Sequence, residues 1–413
     1  MKKKNSNFLT VLLFIVLFCV VARLIVGLLY FNKFDTYWYR QWAVGLQEGL
    51  FDVYSRADEI SLDYPPVYLF FLYLTGLAYR FFGIDCVDTC QMFLMKFWPI
   101  FFDGICVLVI YKASLKYGEK TALFAALCWA LNPSVFFNTA FWGQTDQLMA
   151  LLLIFAFYLA KERPIASCVC FAVAGLTKYQ SLFFTPVLLS YVLREHGWQK
   201  LIKGIGSAAL TVAAVFLPFM IGAKNPFLFF DVYLGGVGTY KYCTFNAYNI
   251  FAMLGLNTVL DSETAVFNLS YSTLNIIVLL FIVGATVFLI LKGRRTNIYV
   301  GGLLIMVTLF MFVTRMHERY LIVALPFALM AYVTTKNRHF ITQFALLTVT
   351  TLVNQAAVLL NVNDQWPFFL SQLDKIEFMF SFFNLLIFFY VAYASIAFFM
   401  GKEKENDLYK AKI

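Results

Sequence analysis

The chain has 413 residues, of which 62% are hydrophobic, 19% are aromatic and only 13% are charged. Soluble globular proteins carry about 25% charged residues, so this composition excludes that class. The net charge of +9 comes from basic residues in short loops and tails, an arrangement that sets membrane topology rather than forming a nucleic-acid-binding face. The sequence therefore predicts an all-α polytopic membrane protein, organised as a single membrane domain over residues 1–413.

Apolar runs close to the ~20 residues that cross a ~30 Å hydrocarbon core follow one another along the chain. The first run follows three lysines and is too long for the apolar region of a cleaved signal peptide, so we predict a retained span. Residues 67–83 form either a thirteenth span or an amphipathic or re-entrant helix on the outer surface. Leaving them aside, we predict about 12 spans at residues 8–31, 92–111, 121–139, 147–160, 165–177, 180–193, 201–222, 269–291, 297–314, 320–335, 340–360 and 376–400.

The distribution of charge favours twelve spans over thirteen. With twelve, the basic loops "YKASLKYGEK", "AKERP", "REHGWQK", "KGRRTN" and "TKNRH" lie in the cytoplasm, whereas with thirteen they all lie outside, against the positive-inside rule. The twelve-span topology places both termini inside, with residues 401–413 as a cytoplasmic tail. It predicts a first extracytoplasmic loop at residues 32–90, which carries surface helices, and a second large extracytoplasmic loop at residues 223–268.

Polar and charged residues from distant segments gather on the predicted outer side. Each alone has an ordinary explanation as an aromatic-belt anchor, a snorkelling lysine or a helix cap. Charged residues at the membrane surface are costly, however, and their convergence indicates a functional site. They are Asp35 and Arg40 in "FDTYWYRQW", Asp63 and Tyr64 in "LDYPP", Gln144 and Asp146 in "FWGQTDQ", Lys178 and Gln180 in "TKYQ", and Arg315, His317, Glu318 and Arg319 in "TRMHERY".

These residue types suit the transfer of a sugar from a lipid phosphate. An aspartate can act as a general base towards a hydroxyl group. Aromatic side chains can stack on a sugar ring. The basic side chains can cradle a phosphate group, and they are Lys178, Arg315, His317 and Arg319.

A transporter or flippase of lipid-linked sugars is the alternative function. Such a protein needs ionisable residues deep within its spans, and the deep candidates here are Arg23, Lys96 and Asp103. Lys96 and Asp103 are seven residues apart, which places them on one helix face, where they serve either transport or a structural ion pair. Of the eight cysteines, Cys86 and Cys90 share one loop, in which they either pair or stay free.

The ordered series of motifs resembles the GT-C superfamily of integral-membrane glycosyltransferases. The closest resemblance is to polyprenyl-phosphate-sugar enzymes of the dolichyl-phosphate-glucose and dolichyl-phosphate-mannose type. Asp35, Arg40 and Trp42 resemble the acidic motif that follows the first span in these enzymes. Asp63 to Pro66 resemble a D-Y-P-P sequence that begins a surface helix.

The remaining motifs of the series follow in the same order, over roughly residues 30–330. The stretch "FWGQTDQ" is similar to a polar turn of the family, Lys178 to Gln180 to a K-Q turn, and Met316 to Arg319 to a V-H-E-K turn. This chain departs from the family where Trp142 and Gly143 replace Phe and His, and where one residue is inserted in the K-Q turn.

The resemblance implies a GT-C fold and a donor sugar carried on dolichyl or undecaprenyl phosphate, with no need for a nucleotide sugar. It implies Asp35 as the general base, with Asp63 as a second carboxylate of the site or an acceptor-binding residue. Donor phosphate binding is implied for Lys178, Arg315, His317 and Arg319. Sugar or acceptor binding is implied for Arg40, Tyr64, Gln144, Asp146, Gln180 and Glu318.

We therefore expect an inverting hexosyltransferase of the cell envelope, in a bacterial plasma membrane, with its site on the extracytoplasmic face. The sugar is mannose or glucose, and the acceptor is a hydroxyl group of a glycolipid, a cell-wall polymer or a polysaccharide. Membrane lipids are expected partners, and nucleic acid is not. No cofactor is expected, and a divalent metal between Asp35 and Asp63 is the less favoured alternative.

Overall fold

A computed structural model describes residues 2–30, 35–83, 89–238, 240–362 and 372–402. Within these ranges the chain is almost entirely helical, and its one strand pair is β1 (Thr244–Phe245) lying parallel to β2 (Met316–His317). The helices in chain order are α1 Lys2–Leu29, α2 Asp35–Gly45, α3 Pro66–Phe81, α4 Thr89–Ser114, α5 Glu119–Ala130, α6 Pro133–Phe136, α7 Asp146–Ala160, α8 Pro164–Gly175, α9 Thr185–Gly222, α10 Leu228–Gly238, α11 Ile250–Met253, α12 Tyr271–Lys292, α13 Ile298–Phe312, α14 Ala324–Thr335, α15 Arg338–Val362 and α16 Leu373–Phe399.

Short helical segments of other types connect these helices. A π-helix at Phe137–Trp142 continues α6 towards α7. The 3₁₀ segments are Val53–Arg56, Leu115–Tyr117, Tyr179–Phe184 and Tyr320–Val323.

The long apolar helices confirm an all-α polytopic membrane protein. Among the described residues, six helices are long and apolar enough to cross a membrane, or seven if the bent pair Glu119–Ala130 and Pro133–Trp142 forms one span. Four further apolar helices, including Asp146–Ala160 and Ile298–Phe312, have only 10–17 residues. The predicted number of twelve spans is not confirmed, because these shorter helices fall below the ~20 residues that a crossing requires.

The ninth helix joins two of the predicted spans. Residues 180–193 and 201–222 were predicted as separate spans, and the structure runs them together from Tyr179 through α9. Gly197, with φ 77° and ψ 176°, interrupts the helical conformation between them. Glycine lacks the Cβ that makes a positive φ unfavourable, so the chain can kink at this position.

The first connecting region contains a compact pair of helices, α2 and α3. Tyr68, Leu69 and Leu72 lie on the buried face of α3. A Cβ on Gly76 would lie 2.2 Å from the carbonyl oxygen of Ala43, so only glycine permits this close contact between the two helices. At 16 residues, α3 is about 24 Å long, which is shorter than a ~30 Å hydrocarbon core. Its length therefore favours the surface-helix interpretation of residues 67–83.

The ion pair between deep charged residues is not the pair of Lys96 and Asp103 that their spacing suggested. Asp103 does not pair with Lys96. Its Oδ2 lies 2.6 Å from Nε of Arg23, and its Oδ1 accepts a 2.8 Å hydrogen bond from Nε1 of Trp129. Lys96 instead donates to backbone carbonyl oxygens, including that of Ala140 at 2.7 Å. The periodicity of one helix could not show that a guanidinium on α1 lies closer to the carboxylate.

Cys86 lies outside the described residues, so its predicted alternatives with Cys90 stay open. The six cysteines other than Cys86 and Cys90 are free within the described part of the chain.

Candidate active site

Connecting segments at one end of the helices enclose a cavity of about 690 Å³. It lies between α2, the loop before α3, the segment after α8, the region of α10 and the turn before α14. Seven of the predicted site residues line it: Asp35, Asp63, Tyr64, Lys178, Gln180, His317 and Arg319. The sequence therefore identified residues that the fold brings together from segments far apart in the chain.

Asp35 begins α2 and carries one of the cavity's carboxylates. Its Oδ2 accepts hydrogen bonds from Nε1 of Trp142 at 2.5 Å and from Nε2 of Gln144 at 2.6 Å. The amide oxygen of Gln144 in turn accepts a 2.9 Å hydrogen bond from the hydroxyl of Tyr39. Because this second contact fixes the amide orientation, the Asp35 carboxylate is held in one position. Gln144 itself lies behind Asp35 and does not line the cavity.

The π-helix Phe137–Trp142 and the turn that follows it supply these two donors. Asn132 caps the start of α6 by accepting hydrogen bonds from two backbone N–H groups, and Pro133 occupies the first helical position. π-helical segments widen a helix and occur often at functional sites. Gly143 ends the segment in the left-handed conformation, with φ 78°. A Cβ there would lie 2.9 Å from Cγ of Lys96, so any side chain at this position would require Lys96 to move.

Lys178 is held by a buried carboxylate. Its Nζ lies 2.5 Å from Oδ1 of Asp146, and the two side chains are 4% and 2% exposed. The other carboxylate oxygen accepts a 3.0 Å hydrogen bond from Asn138, whose amide also contacts Gln355 at 3.2 Å. Asp146 does not line the cavity, so in this geometry it orients Lys178 and does not face a sugar.

Arg319, a second cation of the cavity, is likewise paired with a buried carboxylate. Its Nη1 lies 2.5 Å from Oε1 of Glu318, which is buried and lies outside the cavity lining. The guanidinium stands 5.7 Å from the centre of the Trp142 ring, within the range of a cation–π contact. Among the described residues, its buried Nε has no hydrogen-bond partner. An unpaired buried donor is costly, so this N–H is suited to an acceptor that enters the cavity.

His317 is enclosed by aromatic rings. The ring centres of Tyr240, Phe245 and Tyr320 lie 4.6, 5.1 and 4.9 Å from that of the imidazole. Burial lowers the pKa of His317 well below 6.5, and the positive charges of Arg319 and Lys178 lower it further. The imidazole is therefore neutral near pH 7 and can donate a hydrogen bond without supplying a charge.

The D-Y-P-P segment forms one wall of the cavity. Pro65 is extended (φ −68°, ψ 162°) and Pro66 begins α3, a position at which proline is favoured because its missing N–H is not needed there. The backbone carbonyl of Asp63 accepts a 2.6 Å hydrogen bond from the hydroxyl of Tyr179. Burial raises the pKa of the Asp63 carboxyl to about 6, against the lowering effect of a backbone hydrogen bond and of Arg319.

Aromatic hydroxyls tie this wall to α2. The hydroxyls of Tyr39 and Tyr64 are 2.9 Å apart, and Tyr54 donates a 2.8 Å hydrogen bond to the carbonyl of Tyr64. Gln180 also lines the cavity, and within the described part of the chain its buried Oε1 has no hydrogen-bond partner. That oxygen can accept a hydrogen bond from a sugar hydroxyl.

Two other predicted site residues lie away from the cavity lining. Arg315, which has φ 63°, pairs with Asp261 at 2.6 Å. Arg40 lies on α2 near Tyr79. Burial raises the pKa of the Tyr79 phenol, and the charge of Arg40 opposes this effect.

Sequence reasoning missed several residues of the site. Asn138 and Gln355 support Asp146 from inside predicted spans, and buried amides in apolar runs are the signal that could have identified them. The outer rim of the cavity includes Asp58, Asn225 and Asp231, with aromatic walls from Trp38, Trp42 and Tyr240.

No metal site is evident in the described ranges, where no three His, Cys, Asp or Glu side chains lie close enough together to hold an ion.

Comparisons with known proteins agree with the class that the motifs predicted. Residues 65–221 match the family model described as dolichyl-phosphate-mannose-protein mannosyltransferase. The match runs from the start of α3 to the end of α9 and includes Asp146 and Lys178. Together with the helical membrane architecture, it confirms the predicted resemblance to the GT-C glycosyltransferases that use polyprenyl-phosphate-linked sugars.

A solved structure gives a further similarity. The crystal structure of ArnT from Cupriavidus metallidurans bound to undecaprenyl phosphate is similar over 96% of this chain and 78% of that chain, with a TM-score of 0.46 and 14% sequence identity. No curated protein sequence matches the chain.

Proposed function

We propose that this protein transfers one hexose, with inversion, from a polyprenyl phosphate to an acceptor hydroxyl group. The observation that carries the proposal is one cavity that joins a firmly oriented carboxylate, Asp35, to two oriented cations, Lys178 and Arg319. The family description names mannose, so we take mannose as the first donor sugar to test and glucose as the second. The reaction needs a proton acceptor at the attacking hydroxyl group, which the carboxylate can provide. It also needs positive charge at the leaving phosphate, which the two cations can provide.

The cations suit the donor phosphate. Lys178 and Arg319 can each contact a phosphate oxygen, and charge-assisted hydrogen bonds of this kind are the strong ones. Their carboxylate partners hold them in position before a ligand arrives, so little reorganisation accompanies the growth of charge on the leaving phosphate. Neutral His317 can add a hydrogen bond to the same group.

Asp35 is the proposed general base. The acceptor hydroxyl oxygen attacks the anomeric carbon and forms the new glycosidic bond, while its proton passes to the Asp35 carboxylate. The bond between the anomeric carbon and the phosphate oxygen breaks, and polyprenyl phosphate leaves with its electron pair. Attack from the face opposite the phosphate inverts the anomeric configuration. The hydrogen bonds from Trp142 and Gln144 keep the carboxylate in the position required for proton transfer.

The remaining wall suits the acceptor. Asp63 and Tyr64 are fixed by the neighbouring prolines and by tyrosine hydroxyls. Tyrosine and tryptophan rings from α2 provide flat apolar surfaces for a sugar ring. We place the acceptor here, as a hydroxyl group of a glycolipid or a cell-envelope polymer. The charge bias of the loops supports an extracytoplasmic position for the cavity, and we propose a bacterial plasma membrane as its location.

The alternative function, a flippase of lipid-linked sugars, loses support from the deep charges. Arg23 and Asp103 pair with each other, and Lys96 is satisfied by carbonyl oxygens. No deep charge among these three is left for cargo.

An assay in sealed vesicles separates the two functions. The purified chain is incubated with polyprenyl phosphate carrying radiolabelled mannose, or glucose in parallel, and total envelope glycolipids as acceptors. We expect the label to leave the donor and to appear in a product of opposite anomeric configuration, with Asp35→Asn inactive. Label that crosses the membrane while still attached to the donor, equally in wild type and variant, would identify a flippase and reject the transferase.

A further inference from the structure

Three lysines surround one tyrosine at the end of the helices that lies away from the cavity. Asp146, beside the cavity, begins α7, and Lys161 follows the last residue of this 15-residue helix. At ~1.5 Å per residue, the two positions are about 22 Å apart. Lys336 likewise follows α14, whose preceding segment begins at Tyr320 on the cavity wall. The lysines therefore lie at the ends of α7 and α14 that are farther from the cavity.

The three ammonium groups share Tyr117 as a neighbour. Nζ of Lys116, Lys161 and Lys336 lies 5.6, 5.9 and 5.8 Å from the centre of its ring. Lys161 also donates a 3.1 Å hydrogen bond to the Tyr117 hydroxyl, and Lys336 donates a 2.9 Å hydrogen bond to the hydroxyl of Thr121. We call Lys116, Lys161 and Lys336 the Tyr117 lysine cluster.

The cluster has an excess of positive charge. Among the described residues, none of its three lysines has a carboxylate within 4.0 Å. Glu162 and Glu195 act on Lys161 from farther away, and Glu195 is itself 3.8 Å from Arg194. The ends of α7 and α14 contribute partial negative charge, since helix C-termini attract cations. Three full positive charges exceed these partial charges.

The backbone conformation of Lys336 is also consistent with a role of this residue in the cluster. It has φ 59°, in the left-handed region that glycine or asparagine usually occupies at the end of a helix. This conformation brings the Lys336 side chain to Thr121 and Tyr117. The chain thus accepts a strained conformation at the residue that completes the cluster.

We propose that the Tyr117 lysine cluster binds one phosphate group, with the headgroup of an anionic phospholipid or a free phosphate as its source. Ammonium groups donate hydrogen bonds and a phosphate offers acceptors, so three lysines within 5.9 Å of one ring centre supply the donors that a phosphate takes. Basic pockets between helices at a membrane surface are known to take anionic headgroups. The proposal is independent of the cavity and of its reaction.

Native mass spectrometry of the full-length chain tests this site. The protein is titrated with phosphatidylglycerol and, separately, with phosphatidylcholine. For the triple variant K116Q/K161Q/K336Q we expect phosphatidylglycerol binding to weaken at least about tenfold, because each lysine near an anionic headgroup contributes severalfold in affinity. Phosphatidylcholine binding should not change. The matched control K200Q/K203Q/K292Q removes three exposed lysines outside the cluster and should change phosphatidylglycerol binding by less than about twofold.

The outcomes decide both the site and the source of the phosphate. Tight binding of phosphatidylglycerol that is lost only in the cluster variant supports a lipid site. Binding of inorganic phosphate alone, lost in the same variant, supports a free-phosphate site. Equal loss in the control variant, or no loss in the cluster variant, overturns the proposal. If the triple variant does not elute as a single species, K116Q alone should still weaken phosphatidylglycerol binding about threefold, since the exposed Lys116 has only ring contacts to lose.

Discussion

The two ends of the helices handle positive charge in opposite ways. In the cavity, Lys178 and Arg319 each lie 2.5 Å from a buried carboxylate that points away from the ligand space. In the Tyr117 lysine cluster, no described carboxylate comes within 4.0 Å of any ammonium group. Pairing with a carboxylate fixes the orientation of a cation and lowers the net charge of the pair. This arrangement suits chemistry that depends on precise geometry. Lysines without a carboxylate partner keep an excess of positive charge, which suits the binding of an anion.

The largest expected effect comes from breaking a pair in the cavity. Lys178→Met leaves Asp146 buried without its cation, and the loss of one partner from a buried pair costs about 3–5 kcal/mol. The thermal midpoint in detergent should fall strongly, and transfer should be lost. The double variant Lys178→Met/Asp146→Asn should regain most of the stability and none of the transfer. Transfer that recovers with stability would show that Lys178 is structural and does not bind the donor.

Asp35→Asn keeps the shape of the side chain and removes its basicity. We expect the transfer rate to fall at least about a hundredfold, the scale of lost general-base catalysis, while donor binding and the thermal midpoint stay near wild type. Asp58→Asn, a rim carboxylate of the same cavity, serves as the matched control. A rate for Asp35→Asn within a few-fold of the wild-type rate would remove the base from the proposed mechanism.

Variants of His317 test whether a neutral hydrogen-bond donor at this position is sufficient for binding the sugar donor. Loss of a hydrogen bond to a charged group costs about 1.5–3 kcal/mol, so His317→Ala should weaken donor binding about tenfold or more. His317→Gln keeps a neutral N–H donor and should recover most of this loss. Since the pKa of His317 lies well below 6.5, donor binding should show no titration near that pH. A transition at pH 6.5 that disappears in His317→Gln would contradict a neutral imidazole.

Asp63→Asn should change stability and pH dependence more than rate. The folded chain holds the proton of Asp63 more tightly than the unfolded chain, so the ionised carboxylate lowers stability. This penalty is complete above about pH 6 and fades as the pH falls towards the ordinary pKa of 3.8. The variant should therefore be more stable at pH 7.5, by no more than about 2 kcal/mol after allowance for partial hydration.

Kinetically, Asp63→Asn should weaken the binding of the acceptor. We expect KM for the acceptor to rise while kcat falls less than in Asp35→Asn. In the wild type, acceptor binding should weaken as the pH drops through about 6, and this dependence should be absent from the variant. If Asp63→Asn abolishes turnover while Asp35→Asn does not, the two roles are reversed.

The smallest effect on activity is expected from cysteine labelling, which tests whether the cavity and the lysine cluster lie on opposite sides of the membrane. Cysteine is introduced at Glu59, on the cavity side, or at Lys120, near the lysine cluster, in a chain with Cys86 and Cys90 replaced by serine; both test positions are exposed. An impermeant reagent on intact cells should modify position 59 and not position 120, with activity unchanged. The reverse pattern would invert the membrane topology and place the cavity inside the cell.

Much of the site was accessible from the sequence, because charge bias and ordered motifs both depend on local residues. Asp35, Lys178 and His317 are far apart in the chain, yet each follows or precedes an apolar helix at the same predicted membrane face. The same reasoning predicted a helix at residues 67–83, and the structure has it at Pro66–Phe81. For the site residues and for this helix alike, the neighbouring spans predict the side of the membrane, and a short sequence motif predicts the position in the chain.

The partners of the charged residues could not be predicted in this way. The support of Asp146 by Asn138 and Gln355 depends on how α15 packs against the π-helix. The pairing of Asp103 with Arg23 depends on contact between α1 and α4. Both are tertiary contacts between segments with no local signal. The predicted span count is not confirmed, because four apolar helices of 10–17 residues are shorter than a crossing requires.

The close contact between Gly143 and Lys96 limits how this sequence can change. A side chain at position 143 meets Cγ of Lys96, and that lysine is itself held by the carbonyl of Ala140. Introducing the histidine of the resembling enzymes at position 143 would therefore be harmful while Lys96 is present. A shorter residue at position 96 would remove this contact, but it would leave the carbonyl of Ala140 without its ammonium donor. The left-handed backbone at Gly143 (φ 78°) would still disfavour a side chain there. The two positions are therefore coupled, and glycine at position 143 is held both by its backbone conformation and by its neighbour.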